Sequence, residues 1–390
     1  MSCRPIWAEI DLEAIAHNIS EIRNAVGFGP QIMAVVKANA YGHGAVEVAQ
    51  ASLRAGASWL GVARVAEGIE LREAGIAAPI LVLGTSPPEC ASELLAWDLR
   101  QTVSGLDDAR ALARHARNQD KTLQVHLKVD TGMGRLGLLA GPELGGDFDA
   151  AGEEVVAIQQ LSGIALEGIF THFACADSRD KSSASRQWQR FTDFLETLDT
   201  RSLPRIPVRH AANSASIIDL PRTHLDLVRA GIMLYGLYPS AEVDHAGVRL
   251  KPAMTVKARI SQVKDVPAGF CVSYGSTYTT PAPTRIATVP VGYADGYTRL
   301  LSSQAHMVVH GQRVPVVGRV CMDQTLLDVG GLPEVAAGDE VVLLGSQGEA
   351  CVSADELAEL TGTINYEIVS TLMARVPRIF LPAVAGRHRD

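Results

Sequence analysis

The chain has 390 residues, of which 47% are hydrophobic and 20% charged, so it can bury either one large core or two ordinary ones. Its 35 basic and 43 acidic residues give a formal net charge of -8, which leaves no basic field to hold a nucleic-acid backbone. We therefore expect two domains and no nucleic-acid partner.

The N-terminal segment, MSCRPIWAEIDLEAI, has no basic region followed by a continuous apolar stretch, so a secretory signal is not expected. The longest uncharged stretch, residues 266–284, is interrupted by prolines and glycines and is not expected to span a membrane. The cysteines are widely scattered without a C-x-x-C pair, which argues against a zinc site or a disulfide framework. We therefore expect a soluble, cytoplasmic protein with free thiols at Cys3, Cys90, Cys175, Cys271, Cys321 and Cys351.

From Gln31 to about Gly236, short apolar runs alternate with helical patterns, in about eight units. The predicted strands are, in chain order, IMAVVKA, WLGVA, PILVLG, RQTVSG, LQVHLKVD, IALEGIFTHF, VRHAANS and LDLVRAGIMLYG. Segments such as LDDARALARHARNQD, between strands, carry apolar residues at helical intervals. The pattern predicts an α/β fold, a (β/α)₈ barrel over residues 12–246, although a doubly wound sheet would give the same alternation.

Polar residues favour the barrel over the doubly wound sheet. They fall in, or just after, the C-terminal part of five predicted strands, at Lys37, Lys128, His172, His210 and Arg229. This is the end of a parallel barrel at which active sites are built. We therefore expect a functional site at that end of the barrel.

After residue 246 the pattern changes to alternating β segments with turn signals, such as TVKARISQV, RIATVPVGYADG and DEVVLLGSQGE. This pattern predicts a second, mainly β domain over residues 247–384, and we expect the N-terminal strand, residues 5–11, to join it. Within this domain SADELAEL predicts a short helix, because Ser353 and Glu356 have the spacing of a capping box.

Two motifs suggest other functions. GMGRLG, residues 132–137, satisfies the G-x-G-x-x-G pattern of a dinucleotide-binding turn, but the following residues are too rich in glycine and proline to begin the required helix. We interpret this match as coincidental and keep a dinucleotide oxidoreductase as an alternative. Two pairs of possible metal ligands, His306 with His310 and His172 with Cys175, lack the further ligands of a metal site, so no metal is expected.

Lys37 ends the apolar run in AVVKANAYGHG, where small residues and Tyr41 follow it. A lysine held on an apolar strand loses solvation, which lowers the pKa of its amine toward that of a neutral nucleophile. Taken alone, a structural lysine that ends a strand is the more common interpretation.

Several segments together resemble the alanine racemases: AVVKANAYGHG, THF, HAANSAS and VRAGIMLYG on the first, sixth, seventh and eighth strands, and VSYGSTY and VGYADGY in the β domain. The similarity runs from IWAEIDL near the N-terminus to TINYEIVSTLMARVPR near the C-terminus. That family uses pyridoxal 5′-phosphate on a (β/α)₈ barrel with a C-terminal β domain. The resemblance implies an enzyme that interconverts L- and D-alanine, either supplying D-alanine for cell-wall peptidoglycan or serving alanine catabolism.

The resemblance also implies which residues carry the chemistry. Lys37 would hold the cofactor as a Schiff base, and Lys37 and Tyr274 would be the two bases on opposite faces of the bound amino acid. Arg229 would face the pyridine nitrogen of the cofactor. Because a guanidinium donates a hydrogen bond without giving up its proton, this nitrogen would stay unprotonated and the ring would be a weaker electron sink.

Further positions follow from the same resemblance. Arg135 and Met322 would bind the substrate, and Lys128 corresponds to a lysine that is often carbamylated in the family. Tyr274 and Met322 would come from the partner chain of a homodimer, so each active site would be shared. The other cofactor-binding positions would be Tyr41, His172, His210, Asn213, Ser214, Gly231, Ile232 and Tyr366.

Two alternatives remain close to this interpretation. A racemase for serine, or for a broad range of amino acids, differs by a small change of side chain that a pocket separates by only ~1–3 kcal/mol. A non-catalytic carrier of pyridoxal phosphate would need no second base, so a β domain that carries Tyr274 argues against it.

Overall fold

The computed structural model describes residues 4–201 and 204–381, and the chain divides into two compact units. The barrel unit comprises residues 14–40 and 45–251, and the β unit comprises the described parts of residues 1–13, 41–44 and 252–390. Cys3 and residues 382–384 of the predicted β domain lie outside the described residues.

Within the described residues, eight parallel strands form the wall of the barrel unit. In chain order, and numbered from first to eighth, the barrel strands are Gln31–Val35, Trp59–Val62, Ile80–Val82, Arg100–Val103, Leu123–Asp130, Ile164–Phe170, Val208–His210 and Leu227–Ala230. Each pairs with the next in parallel, up to the seventh, and the eighth pairs with the first.

The ring closes between the seventh and eighth barrel strands through single backbone hydrogen bonds. Asp226 N–H donates to the Arg209 carbonyl, and Arg229 N–H donates to the Ala212 carbonyl, both at 3.0 Å. A doubly wound sheet keeps two open edges, whereas this sheet returns to its first strand. The predicted (β/α)₈ barrel is therefore confirmed.

Helices follow the barrel strands, as the apolar spacing predicts. The segment LDDARALARHAR forms the helix Leu106–Arg117 and buries Ala109, Leu112, Ala113 and Ala116, which lie on one helical face. The helices of the barrel region are Leu12–Val26, Ala45–Arg54, Val65–Glu73, Ala91–Ala96, Leu106–Arg117, Phe148–Gln159, Ser182–Asp199 and Ser214–Asp219, with short 3₁₀ turns at Pro88–Cys90, Pro142–Leu144, Pro221–Thr223 and Ile232–Tyr235. A two-residue strand, Leu138–Leu139, pairs with the fifth barrel strand.

The β unit is mainly antiparallel. Its strands are Ile6–Asp11, Met254–Arg259, Gln262–Val266, Cys271–Val272, Tyr278–Thr279, Thr284–Val289, His306–Val309, Gln312–Pro315, Thr325–Asp328, Glu340–Gln347, Ala350–Val352 and Arg378–Leu381. The strand Ile6–Asp11 lies between two others, antiparallel to Met254–Arg259 and parallel to Arg378–Leu381. Turns of 3₁₀ helix lie at Tyr274–Ser276, Tyr293–Asp295 and Arg299–Leu301.

Two short helices, Ala354–Thr361 and Asn365–Ser370, complete the β unit. The first is the helix predicted from SADELAEL, and the Ser353 hydroxyl caps it by accepting the Glu356 N–H at 3.0 Å. The Glu356 carboxylate binds Arg313, whose Nη1 lies 2.8 Å from Oε2. Across residues 4–201 and 204–381, no helix combines the length and apolar character that crossing a bilayer requires.

Candidate active site

Lys37 follows the first barrel strand and begins a short left-handed turn. Residues 38–40 all have φ of 52°, with ψ between 47° and 53°, and Tyr41 has φ of 51°. Each left-handed L-residue costs ~1–2 kcal/mol, so the turn persists only if other contacts hold it. The amine of Lys37 is therefore presented by a backbone that the surrounding residues must fix.

Glu67 supplies much of that support. One carboxylate oxygen accepts the Ala38 N–H at 2.7 Å, and the other accepts the N–H groups of Ala63 and Arg64 at 2.6 and 3.1 Å. A single side chain thus joins the start of the helix Val65–Glu73 to the Lys37 turn. Sequence reasoning missed Glu67, and the available signal was an acidic residue in the first turn of a helix.

Asn39 holds the other end of the turn, because its side-chain oxygen accepts the Ala45 N–H at 2.8 Å. Asparagine is one of the few residues that enter the left-handed region readily, and its short side chain can cap the following helix. In AVVKANAYGHG this asparagine therefore has a structural reason to lie two residues after the lysine.

The amine of Lys37 lies in a strongly cationic region. Burial lowers its pKa, and the charge of Arg135 lowers it further, whereas Glu67 raises it. Burial also holds the pKa of His172 well below its ordinary value, and the charges of Arg229, Arg135, Lys128 and Lys37 add to this effect. These cations are therefore close enough to act together, and the region suits a ligand with phosphate or carboxylate groups.

Lys128 is buried on the fifth barrel strand, where 4% of its surface is exposed. Its Nζ donates to the Val129 carbonyl at 3.0 Å and lies 5.5 Å from the centre of the Phe170 ring. Burial, followed by the charge of Arg229, lowers the pKa of Lys128 to about 7. A large fraction of this amine is therefore neutral near neutral pH.

Arg229 is buried on the eighth barrel strand and fixed by several acceptors. Its Nη2 donates to the carbonyls of Thr171 and Ala211, at 2.8 and 2.9 Å. The same group lies 3.1 Å from His172 Nδ1, and Nη1 lies 2.9 Å from His210 Nδ1. Because a guanidinium only donates, both Nδ1 atoms are acceptors, with one of the two Nη2 protons shared between a carbonyl and His172, and each neutral imidazole carries its proton on Nε2.

The pKa values agree with this arrangement of protons. Burial, with the charge of Arg229, holds the pKa values of His172 and His210 well below the ordinary range, so both rings are neutral at neutral pH. Burial, with the charge of Arg135, lowers the pKa of Arg229 to about 9, so Arg229 is still a cation there.

Three of the predicted cofactor-binding positions, Ser214, Gly231 and Ile232, lie together after the seventh and eighth barrel strands. The Ser214 hydroxyl accepts the N–H groups of Gly231 and Met233 at 3.0 and 3.4 Å. Ile232 follows directly, is fully buried and begins the turn Ile232–Tyr235. The structure therefore brings Ser214, Gly231 and Ile232 to one place.

Asn213, which precedes Ser214, stabilises the local structure. Its side-chain oxygen accepts the N–H of Ser216 at 3.1 Å and the Ser216 hydroxyl at 2.8 Å, which caps the helix Ser214–Asp219. A direct contact between Asn213 and a cofactor stays a prediction.

The GMGRLG loop is organised around Asp130. One carboxylate oxygen accepts the N–H groups of residues 132–134 at 2.8, 2.9 and 3.2 Å, and the other accepts the Arg135 N–H at 3.1 Å. The next helix, Phe148–Gln159, begins well beyond the glycines. The loop therefore directs its N–H groups to its own carboxylate and not to a pyrophosphate, and it positions Arg135.

Tyr41 and Tyr366 belong to the β unit, and their ring centres lie 6.1 Å apart. Burial raises the pKa of Tyr41 to about 12, so its hydroxyl keeps its proton and can donate it in a hydrogen bond. Gly42 has φ of 84°, and a Cβ there would lie 2.2 Å from the Val369 carbonyl oxygen. A glycine is therefore required where the chain passes the helix that carries Tyr366.

Tyr274 and Met322 lie on the surface of the β unit, with 70% and 53% of their surfaces exposed. The residues that precede them, Ser273 and Cys321, contact each other, with Ser273 Oγ 3.4 Å from Cys321 Sγ. Ser273 has φ of 65° and its hydroxyl donates to the Arg319 carbonyl at 2.6 Å, which fixes the turn that carries Tyr274. The structure thus presents both predicted substrate-side residues on one surface.

Comparison with known proteins gives two family matches. Residues 10–239 match the family described as alanine racemase, N-terminal domain, and residues 253–380 match the alanine racemase, C-terminal domain. Together these matches span most of the chain.

Individual relatives agree with the family matches. An alanine racemase of Desulfosudis oleivorans is 56% identical over 375 residues, which cover 96% of this chain and 96% of the relative. The solved alanine racemase of Clostridium difficile 630 has a TM-score of 0.91 at 39% identity and covers 98% of this chain and 97% of its own. An alanine racemase of Bartonella henselae, solved with covalently bound pyridoxal phosphate, has a TM-score of 0.85 at 28% identity and covers 97% of this chain and 99% of its own.

Proposed function

This chain belongs to the alanine racemase family, a family of pyridoxal-phosphate-dependent isomerases, and from this we propose how its own residues interconvert L- and D-alanine. The proposal depends most on one observation. The amine of Lys37 is desolvated, with its pKa lowered by burial, at the C-terminal end of a barrel strand, where barrel active sites are built.

The barrel unit suits pyridoxal phosphate in charge and in donor groups. An aldehyde reacts with a neutral amine, and burial favours that form of Lys37. A phosphate is stabilised by nearby cations and by hydroxyl donors, and the Ser214 hydroxyl, which accepts the N–H groups of Gly231 and Met233, keeps its own proton to donate. When bound, the cofactor withdraws electrons from Cα of an attached amino acid. The residues proposed to hold it are Lys37, Tyr41, His172, His210, Asn213, Ser214, Arg229, Gly231, Ile232 and Tyr366.

Two residues move the α-proton. Lys37 removes or returns it on one face of Cα, and Tyr274 of the partner subunit acts on the other face. His172 supports the tyrosine, because its Nδ1 accepts from Arg229 and its Nε2 proton is left to donate to the phenolate oxygen. Arg135 binds the substrate carboxylate, and Met322 of the partner subunit contributes through its backbone.

Replacing Arg229 by glutamate tests its proposed place opposite the pyridine nitrogen. A carboxylate would favour the protonated nitrogen, so negative charge would persist longer at Cα. The proton could then be added at an atom other than Cα, which leads to transamination. We expect slower racemisation and more transamination as a side reaction. The measurement is the amount of pyruvate formed per racemisation event, a ratio that does not depend on the fraction of protein that folds.

The matched control is Arg110→Glu, the same charge reversal on an exposed residue of the helix Leu106–Arg117. It should leave the ratio of pyruvate to racemisation unchanged. An unchanged ratio in Arg229→Glu as well would mean that Arg229 does not face the ring nitrogen.

We propose that Lys128 is carbamylated. Carbon dioxide adds to a neutral amine with release of a proton, and the pKa of about 7 makes that form abundant at neutral and alkaline pH. The carbamate would be negative, so Arg135 and Arg229 would stabilise it and it would orient Arg135. Carbon-13 NMR after equilibration with labelled bicarbonate should show a carbamate signal that grows as the pH rises through 7. Lys128→Ala should lose the signal and Lys121→Ala should keep it, whereas a wild-type protein without the signal would refute the modification.

We propose that the protein is a homodimer whose active sites combine the barrel unit of one chain with Tyr274 and Met322 of the other. The exposure of both side chains on one surface supports this proposal, because a reacting base is expected to be enclosed and not to face solvent. The mixed-dimer experiment described in the Discussion tests it.

Alanine is the proposed preferred substrate, and rates on L-alanine, L-serine and L-lysine test this preference. A higher rate on serine or lysine would favour the broader alternative. Visible absorption before and after borohydride reduction tests the covalent link between cofactor and lysine, and the absence of a reducible band would contradict it.

We further propose a cytoplasmic location, which the free thiols of Cys90, Cys175, Cys271, Cys321 and Cys351 support. There the reaction serves either D-alanine supply for peptidoglycan or alanine catabolism.

A further inference from the structure

A line of polar side chains runs through the interior of the barrel, where branched apolar residues are usual. Arg229 Nη1 lies 2.9 Å from His210 Nδ1, and His210 Nε2 lies 2.9 Å from His126 Nδ1. His126 Nε2 lies 3.2 Å from Glu167 Oε2, which is 3.4 Å from Arg100 Nε. The line therefore connects the proposed cofactor site with the N-terminal part of the barrel, where Arg100 begins the fourth barrel strand.

Donor and acceptor capacity gives this line one direction. Arg229 can only donate, so His210 accepts at Nδ1 and, when neutral, carries its proton on Nε2. His210 then donates to His126 Nδ1, and His126 donates from its own Nε2 to Glu167. A carboxylate only accepts hydrogen bonds, so Glu167 can be the final acceptor in a series of hydrogen bonds that starts at Arg229.

The charge states fit this direction. His126 and His210 are both fully buried, and burial lowers the pKa of each, so both rings are neutral at neutral pH. Burial alone would raise the pKa of Glu167, but the hydrogen bond with His126 and the charge of Arg100 outweigh it and leave the pKa lowered. The line of side chains thus has the Arg229 cation at one end, the Glu167 carboxylate at the other and two neutral histidine rings between them.

The packing leaves space for these rings and holds them. Gly168 lies on the sixth barrel strand, and a Cβ there would be 2.3 Å from His126 Nδ1. The edge of Trp59 contacts His126 with ring centres 5.5 Å apart, and Phe170 stacks on His210 at 4.6 Å with 7° between the planes. A glycine normally weakens a strand, so its presence here is explained by the ring that it admits.

We propose that Glu167 is a positioning residue for the cofactor, acting through His126 and His210 on Arg229. By accepting from His126, Glu167 keeps both histidines in the tautomer that presents an acceptor to Arg229. In the reversed tautomers, the His210 Nδ1 proton would face the Arg229 Nη1 proton, and the guanidinium would be pushed from its place. The inference rests on the proposed role of Arg229 at the pyridine nitrogen.

The variant Glu167→Gln separates this role from plain structural support. Its amide keeps the shape of the side chain, but it can donate to His126 Nε2 and so permits the reversed tautomers. Imidazole ¹⁵N NMR of histidine-labelled holoenzyme reads the tautomer of each ring directly, with the signals assigned through His126→Gln and His210→Gln. We expect wild-type His126 and His210 to carry their protons on Nε2, and both signals to move toward a mixture of tautomers in Glu167→Gln.

The matched control is Glu196→Gln, which removes the same charge from an exposed position on the helix Ser182–Asp199. It should leave both histidine signals in place. Gly168→Ala offers a second route, because the added methyl group displaces the His126 ring and should shift the same signals. Unchanged signals in Glu167→Gln would overturn the proposal.

The effect on chemistry is measured as pyruvate formed per racemisation event. We expect Glu167→Gln to raise this ratio by ~10-fold or less, the scale of replacing one charge-assisted hydrogen bond by a neutral one, and by less than Arg229→Glu does. If Arg229→Glu raises the ratio and Glu167→Gln does not, the inference about Glu167 is wrong. If neither variant changes it, the proposed role of Arg229 is wrong and the inference falls with it.

Discussion

Replacing Lys37 by alanine is expected to abolish racemisation and the covalent attachment of pyridoxal phosphate. Loss of a general base alone removes ~10²–10⁴-fold in rate, and the same change also removes the amine that binds the aldehyde. The visible absorption band of the holoenzyme should disappear. Borohydride reduction followed by peptide mapping of the wild-type protein should place the pyridoxyl group on Lys37.

Lys121→Ala is the matched control, since Lys121 is an exposed lysine before the fifth barrel strand. It should retain the absorption band and the activity. Lys128 is the strongest competitor, because burial and Arg229 also make its amine available near neutral pH. A pyridoxyl group on Lys128, or on another lysine, would refute the assignment of Lys37.

Replacing Tyr274 by alanine is expected to slow racemisation by ~10²–10⁴-fold, the usual share of general acid–base catalysis. The loss must be equal in both directions, because the two enantiomers have equal free energy and an enzyme does not change the equilibrium between them. Tyr274→Phe, which keeps the ring and removes the hydroxyl, should lose a similar factor. If Tyr274→Phe keeps full activity, the phenol is not the second base.

A mixture of the two inactive variants tests whether sites are shared between chains. In a dimer of one Lys37→Ala chain and one Tyr274→Ala chain, one site carries both changes and the other carries neither. Unfolding and refolding equal amounts together should therefore restore about a quarter of the wild-type activity, because about half of the dimers are mixed. If each chain forms its site alone, the mixture will remain inactive.

The barrel could be predicted because glycines, prolines and helical segments separate its short apolar strands, and the apolar residues of those segments recur at helical intervals. All eight predicted strands correspond to barrel strands, and parallel strands end at a common rim, which brings Lys37, Lys128, His172, His210 and Arg229 to one end. The left-handed turn after Lys37 was not predictable in this way. Residues of ordinary propensity adopt it because Glu67, far along the chain, accepts a hydrogen bond from its backbone.

The line of polar side chains that runs from Arg229 to Arg100 inside the barrel was not predicted, for a different reason. In LQVHLKVD, His126, Lys128 and Asp130 alternate with apolar residues, and this alternation places their side chains on the same face of the fifth barrel strand. Such a pattern normally indicates a strand with one solvated face. Here the whole strand from Val125 onward is buried, so polar residues on the alternate face need partners inside the barrel, and sequence alone does not pair His126 with Glu167.

Exchange of the α-hydrogen in deuterated buffer, catalysed by Tyr274→Ala, tests the two-base account most directly. Lys37 is expected to act on the face that D-alanine presents and Tyr274 on the face that L-alanine presents. D-alanine should therefore still exchange its α-hydrogen and return as D-alanine, whereas exchange from L-alanine should fall by ~10²–10⁴-fold. Equally reduced exchange from both enantiomers would contradict the account, because a single group would then reach both faces.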